Sequence, residues 1–300
     1  MTRGANGQVQ DHGDQEYPFT ERDFAMIAEI AHRRYGLYLQ ASKKPLVYSR
    51  LTKRLRALAL PNFETYCQLL SEPQGQQEHA HLLSALTTNV THFFREMHHF
   101  TALREKILPS LIEKARSGSP VRIWSSACSA GQEAFSIAAV IRKEARDFAS
   151  LDIKILATDV DPQMIQKARE ATYDHEQTDA IPAEYKTTMI EQNGDSFKIK
   201  SDITKMVMFG ELNLVDPWPM RRKFDIIFCR NAAIYFDKET QSRLWQRFSD
   251  SINISGHLMI GHSERLTGPA QAHFRNVGIT TYQRLTHIAG GEITEKRMGI

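Results

Sequence analysis

The stretch Ala127-Cys128-Ser129-Ala130-Gly131 follows an apolar run, Val121 to Ser126, that reads as a β-strand. Small residues at such a place let a ligand approach the backbone. A second apolar run, Ile153 to Thr158, ends on Asp159. An acid there can hold the hydroxyls of a ribose, because ligands of open α/β sheets bind beyond the carboxyl ends of the strands. Together the two features describe a nucleoside site. The dinucleotide fingerprint wants three spaced glycines, and only Gly131 is present; no Walker lysine follows. A nucleoside without phosphates fits best, and S-adenosylmethionine is the commonest such cofactor on this architecture. The plainer reading of the same residues is a structural turn and a helix-capping aspartate.

The elements that must position these residues alternate. After the Ser117-Gly118-Ser119-Pro120 linker come a helix at Gly131 to Arg146, the second strand, and a helix from Pro162 to Glu170. Further on, Phe224 to Cys229 reads as a strand, Lys238 to Ile252 as a helix and Gly256 to Ile260 as a strand. Strands alternating with helices predict a mostly parallel, doubly wound sheet. Between Thr172 and Met208 the alternation lapses. There, Ser196 to Lys200 and Lys205 to Phe209, flanking Ser201 to Thr204, suggest a small antiparallel insertion.

The first part of the chain has a different grammar. Thr20 caps a helix, Asp23 completes its capping box, Phe19 and Phe24 are spaced as a hydrophobic staple, and Gly36 ends it. A second helix follows Pro45, Asn62 caps a third, and a fourth spans about Gln76 to Leu86. Met97 to Arg116 reads as a connecting helix disturbed at Pro109. The expected organisation is a disordered lead over 1–16, a helical domain over 17–92, a connecting helix and linker over 93–120, and a sheet domain over 121–287. That domain carries its β-subdomain at about 172–210, and 288–300 form a tail.

Composition narrows the class. The three cysteines, Cys67, Cys128 and Cys229, show neither pairing nor zinc spacing, which favours a reducing cytoplasm. No apolar run approaches the length of a bilayer span, and the N-terminus lacks the apolar core of a secretion signal. Net charge is only +3, but no acidic residue lies between Glu29 and Glu64, a window with Arg33, Arg34, Lys43, Lys44, Arg50, Lys53, Arg54 and Arg56. Such a block suits nucleic acid, a membrane surface or a glutamate-rich protein, or is simply a solvated helix face. Arg50, Lys53 and Arg54 fall on one face by their spacing.

Five segments resemble the bacterial chemotaxis receptor methyltransferases, the CheR family. They are Leu86-Thr87-Thr88-Asn89-Val90-Thr91-His92-Phe93-Phe94-Arg95-Glu96, Trp124-Ser125-Ser126-Ala127-Cys128-Ser129-Ala130-Gly131-Gln132-Glu133, Phe228-Cys229-Arg230-Asn231, Ile234-Tyr235-Phe236-Asp237 and Gly261-His262-Ser263-Glu264. The resemblance runs from about Phe19 to Leu285. It implies a Rossmann-like, S-adenosylmethionine-dependent methyltransferase sheet with a small β-insertion and an N-terminal all-helical domain. It implies methyl transfer to glutamates on the cytoplasmic helical bundle of chemoreceptors. The cofactor contacts it implies are Asn89, Thr91, Arg95, Glu133, Asp159, Asn213, Leu214, Arg230 and Asn231, with Arg95 and Tyr235 close to the transferable methyl. The basic face of Arg50, Lys53 and Arg54 then meets an acidic receptor helix. A cytoplasmic monomer without metal, nucleic acid or membrane insertion is expected.

Elementary chemistry agrees with these roles. Glu133 suits the cofactor ammonium, and the planar fork of Arg95 suits its carboxylate. Asp159 accepts from the ribose, and Asn213 with the neighbouring backbone can read adenine edges. A glutamate acceptor, with a reference pKa of roughly 4.3, is already ionised and needs no general base. Alignment and exclusion of water should then carry catalysis, with Tyr235 orienting the carboxylate. His98-His99 reads as exposed helix, not as ligands. Gly261-His262-Ser263-Glu264 lacks a nucleophile-elbow pattern and is assigned to structure. Two departures from the family pattern stand inside the expected pocket: Gln132-Glu133-Ala134-Phe135-Ser136 after the motif glycine, and Ala232-Ala233 before Ile234. Either could loosen it. The short turn at Asn193-Gly194-Asp195 lacks the glycine-rich loop of a receptor-tail tether, so none is expected. Methylation of nucleic acid, or cofactor binding by a regulator without turnover, are the competing functions.

Overall fold

The computed structural model describes residues 16–286, so the lead (apart from Glu16) and the tail lie outside the described residues. Two compact units part between Thr87 and Thr88, the short segment Arg34–Tyr38 going with the second.

The helical unit contains α1 (Glu21–Tyr35, its last two residues counted with the other unit), α2 (Lys44–Ala57), α3 (Phe63–Ser71) and α4 (Glu78–Leu86). The capping box forms as expected: Asp23 N–H donates to Thr20 Oγ1 at 3.1 Å and Thr20 N–H to Asp23 Oδ2 at 2.9 Å. Phe19 and Phe24 meet edge to face at 6.3 Å. Asn62 caps α3 by accepting from Thr65 N–H at 2.9 Å. Ile27, Ala31, Leu51, Leu55, Phe63, Tyr66 and Leu82 form the buried interior of this unit.

Within this unit, two cations of the basic face have internal partners. Arg54 is bonded through Nε and Nη2 to both oxygens of Glu78, at 2.9 and 2.6 Å. Glu78 is buried and also accepts from Tyr66 Oη at 3.0 Å. Arg50 Nη1 donates to the carbonyls of Ala85, Leu86 and Thr87, the end of α4 where carbonyls lack helical partners. Two of the three cations thus hold their own unit together, and Lys53 is the exposed one.

The second unit begins with α5 (Met97–Ala102), a π-helical turn at Leu103–Ile107 and α6 (Leu108–Arg116). Pro109 lacks the N–H that a continuous helix needs, and the π turn immediately precedes it. Then follow β1 (Val121–Ser125), α7 (Gln132–Glu144), β2 (Ile153–Asp159) and α8 (Pro162–Glu170). The insertion holds β3 (Thr172–Asp174), α9 (Ala183–Met189), β4 (Ile190–Asn193), β5 (Ser196–Ile199) and the short α10 (Ser201–Thr204). After it come β6 (Val207–Glu211), β7 (Phe224–Cys229), α11 (Lys238–Ser251), β8 (Ile252–Ile260), β9 (Phe274–Gly278) and β10 (Thr281–Arg284).

The main sheet has seven strands in the order β6-β2-β1-β7-β8-β10-β9. β1 pairs in parallel with β2 on one side and β7 on the other, in the register Ile123↔Ile155 and Ile123↔Ile226. β7 is buried along its whole length, as a parallel strand covered on both faces must be. The chain runs outward from β1 in one direction and returns beside it in the other. The carboxyl ends of β1, β2 and β7 therefore lie side by side at a topological switch point.

The insertion is smaller than 172–210. Its antiparallel sheet is β3-β5-β4, closing through Gly194 at φ +61°. Lys205 to Phe209, expected as its hairpin partner, instead falls largely in Val207–Glu211, the parallel edge strand beside β2 (Ile155↔Val207), because Ser201–Thr204 is a helical turn rather than a hairpin loop. The β9–β10 hairpin closing the other edge gave no clear periodic signal.

Candidate active site

The small-residue turn is built as a cradle. Gly131 begins α7 at φ +94°, and a Cβ there would lie 3.0 Å from the Ala168 side chain and 3.2 Å from Phe135 and the Tyr173 hydroxyl. Ser129, at φ +48°, donates its N–H to Asp159 Oδ2 at 2.8 Å. Asp159 Oδ1 accepts from Asp161 N–H at 3.0 Å. Burial dominates this carboxyl and pushes it up from 3.8 to about 6, against the pull of those two N–H groups. Asp161 caps α8 through Gln163 N–H at 2.9 Å and accepts from Asn89 Nδ2 at 2.9 Å. Ser129 Oγ donates to Asn89 O at 3.1 Å. The first motif is thus stitched to the ends of β1 and β2, which explains why residues 88–92, expected with the helices, belong with the sheet unit.

Below this lies a buried ionic chain. Glu133 accepts from Ser125 Oγ at 2.7 Å and from Arg230 Nη1 at 2.9 Å. The Arg230 side chain is 2% exposed; its Nη2 also donates to Arg95 O and lies 3.5 Å from Glu96 Oε2. Burial pushes the Glu96 carboxyl up, but the His262 hydrogen bond and the Arg230 charge outweigh it and hold Glu96 at about 2. Glu96, His98 and His99 bring ligand-type atoms within 4.8 Å of one another. The cation beside them is the guanidinium of Arg230. His99 corrects the expectation of an exposed pair: it is fully buried, Nε2 lies 2.9 Å from Thr280 Oγ1, and burial lowers its pKa to about 3.

Around the rim, Arg95 Nη1 donates to Val90 O at 3.0 Å, and Thr91 is half-buried nearby in sequence. The Tyr235 hydroxyl faces Thr88, with long contacts of 3.3 Å to its N–H and 3.4 Å to its carbonyl. Leu212 N–H donates to Asp159 O at 2.9 Å, which brings the 212–214 backbone to the end of β2. The Asn213 side chain is occupied, however. Its Nδ2 donates to Arg34 O at 2.7 Å and its Oδ1 accepts from Val215 N–H at 3.3 Å. Both ends of the Asn213 amide are therefore engaged inside the protein, where they hold the 212–215 turn.

The two departures differ. Gln132 is buried; its Nε2 donates to Gln177 Oε1 at 3.2 Å, while its Oε1 is buried without a hydrogen-bond partner. The Ala232 and Ala233 N–H groups both donate to Glu264. Sequence reasoning missed Ser125, Ser129, Asp161 and Glu96 as supporting groups, and gave Glu264 no partner. Ser125, Ser129, Glu96 and Glu264 stood inside quoted motifs, and that was their only signal.

The donor set fits S-adenosylmethionine. A buried carboxylate at the end of β2 suits ribose hydroxyls, a fixed carboxylate on α7 suits an ammonium through its remaining lone pairs, and the glycine and serine of the turn admit a close approach. Comparisons with known proteins agree. Residues 89–283 match the family model described as CheR methyltransferase, SAM binding domain, and residues 22–87 match CheR methyltransferase, all-alpha domain. A probable chemotaxis protein methyltransferase of Rhizobium etli is 46% identical over 84% of this chain and 95% of its own length. Chemotaxis protein methyltransferase 2 of Pseudomonas aeruginosa is 36% identical over 90% of this chain and 95% of its own. The chemotaxis protein methyltransferase of Borreliella burgdorferi is 36% identical over 83% and 90%. With both units matched, the chain belongs to the CheR methyltransferase family, and its sheet unit is the S-adenosylmethionine-binding domain.

Proposed function

We propose that this chain methylates glutamate side chains on the cytoplasmic helical bundle of chemoreceptors, forming glutamate methyl esters. The relatives' names carry the chemotaxis context. The observation that carries the acceptor class is the rim of the site. There a tyrosine hydroxyl makes only long contacts, in the same unit as Arg95, whose motif abuts the cofactor cradle. A phenol so held can turn to donate to an incoming carboxylate.

The bound cofactor supplies an electrophilic methyl: the acceptor oxygen bonds to it as the carbon–sulfur bond breaks, leaving an ester and a neutral thioether with no proton to remove. Because opposite charges annihilate along this path, excluding water from the carboxylate favours it. Asp159 and Glu133 fix the cofactor's two ends, Arg95 its carboxylate, and Tyr235 the acceptor. Exposed cations of the helical unit, Lys43 and Lys53, are the candidates for meeting acidic receptor helices.

A labelled-methyl assay on purified receptor signalling fragments tests the reading. The expected product releases its label as methanol in mild alkali, as a methyl ester does. Base-stable label, or label incorporated only into nucleic acid, would refute it. Binding of S-adenosylhomocysteine without transfer to any acceptor would instead make the chain a regulator.

A further inference from the structure

The carboxylate of Glu264 is almost completely buried and is gripped by backbone alone. Oε1 accepts from Ala232 N–H at 3.0 Å and Ala233 N–H at 2.7 Å, and Oε2 from Asn231 N–H at 3.1 Å and Gly261 N–H at 2.6 Å. Asn231 sits at φ +58°, in the left-handed region that non-glycine residues keep only where their surroundings hold them there. Gly261 leaves the room: a Cβ on it would lie 2.7 Å from Asn231 Nδ2 and 2.9 Å from Glu264 Oε2. Successive N–H groups converging on one anion form a nest, here filled by a side chain of the same unit. The short turn it organises runs on through Ala233–Tyr235, where Tyr235 N–H bonds to Ala232 O.

We propose that Glu264 is a positioning residue that sets the Asn231–Tyr235 loop, and with it the cofactor contact at Asn231 and the tyrosine facing the acceptor. The inference rests on the proposed roles of those two residues. Charge and two equivalent oxygens are both needed. In Glu264→Gln one oxygen becomes an NH2, which would face two N–H donors and leave them without acceptors. Glu264→Asp keeps both oxygens one methylene further back.

The test compares E264Q and E264D with the parent at saturating S-adenosylmethionine, normalising turnover to sites titrated with S-adenosylhomocysteine. E264Q is expected to lose about tenfold or more in kcat per titrated site, as misplacement by roughly an ångström does, with E264D partly restoring it. A merely structural glutamate would lower melting temperature and the titrated fraction but leave kcat per site alone. Per-site kcat within about twofold of the parent in E264Q overturns the proposal. Should E264Q yield no folded fraction, E264D is read instead: a smaller per-site loss with faster amide exchange at Asn231 to Ala233 is expected, and parent values of both overturn the proposal. If the parent itself transfers no methyl to receptor fragments, the acceptor reading fails separately. The loop role is then decided by amide exchange at Asn231, Ala232 and Ala233 and by S-adenosylhomocysteine affinity, and unchanged values in both variants overturn it.

Discussion

If Asp159 holds the cofactor ribose as proposed, cofactor binding should depend on pH in a direction that separates binding from stability. Its carboxyl stands at about 6 because burial outweighs the N–H groups of Asp161 and Ser129 that pull it down. The ribose hydroxyls need an ionised acceptor, so the apparent dissociation constant should rise as pH falls through that value. If only the carboxylate binds, affinity at pH ~5 is about tenfold below that at pH ~7, since one unit of pKa is worth about 1.4 kcal/mol. Near pH ~6 about half the sites are protonated, so binding should release about half a proton. Titration calorimetry with S-adenosylhomocysteine in buffers of different ionisation enthalpy reads both quantities. Asp159→Asn should abolish the slope and, by losing a charged hydrogen-bond acceptor, weaken binding near neutrality by about 1.5–3 kcal/mol. Stability has the opposite sign. A carboxyl raised from 3.8 to about 6 favours the folded state while protonated, and that contribution is lost as pH rises through about 6. Weaker binding under mild acid therefore should not coincide with a fall in the melting temperature of the free protein from this group. A flat affinity between pH ~5 and ~7, or the same slope in D159N, would refute the reasoning.

The other ionic groups make separate predictions. Arg54→Ala strands the buried Glu78 and should cost about 3–5 kcal/mol in denaturant melts of the helical unit. Lys43→Glu with Lys53→Glu, at exposed positions, should leave stability and cofactor affinity in place and raise KM for receptor fragments. Gly131→Ala forces a Cβ into a left-handed position with a 3.0 Å neighbour and should cost about 1–3 kcal/mol and weaken cofactor binding, both measurable by melting with and without S-adenosylhomocysteine. Glu96 is held at about 2, so the stability it contributes is present above 4.5 and lost as pH falls toward about 2; in Glu96→Gln, melting temperature should vary less with pH across that window.

What the sequence made legible was local. The Thr20 capping box, the Asn62 cap and the helix Pro162–Glu170 depend on residues within one or two turns, and each formed as read. Small residues and an acid after two strands were enough to locate the cradle. The rest depended on partners far along the chain. Val207–Glu211 carries an ordinary strand pattern, and only its pairing with Ile153–Asp159 removes it from the insertion. His99 looks exposed beside His98 until Thr280, 181 residues away, closes over it. Arg50 and Arg54 share a helix face with Lys53, yet the end of α4 and a buried acid 24 residues on claim the two arginines. Spacing states which side chains share a face and is silent about what that face meets.

Distant partners also explain how the site keeps an unfavourable backbone. Phe94, Glu96, Ser129 and Asn231 all have positive φ and all lie in the quoted motifs. Left-handed backbone at such residues is costly and persists only where the surroundings over-determine it. Here each has a side-chain anchor from elsewhere in the unit. Phe94 N–H donates to Ser136 Oγ at 3.0 Å, Ser129 N–H to Asp159, and Asn231 N–H to Glu264, while the Glu96 carboxylate is held by His262 and Arg230. Two of these anchors, Asp159 and Glu264, are carboxylates, and each is tied to more than one segment. Removing one therefore releases strain and unmatched donors together. That coupling argues for a cradle shaped before the cofactor arrives, in which Arg230 ties Arg95 O to Glu133 across the two longest motifs. It also gives a physical reason for the length of those motifs, since their neighbouring residues supply the anchors and not only the ligand contacts.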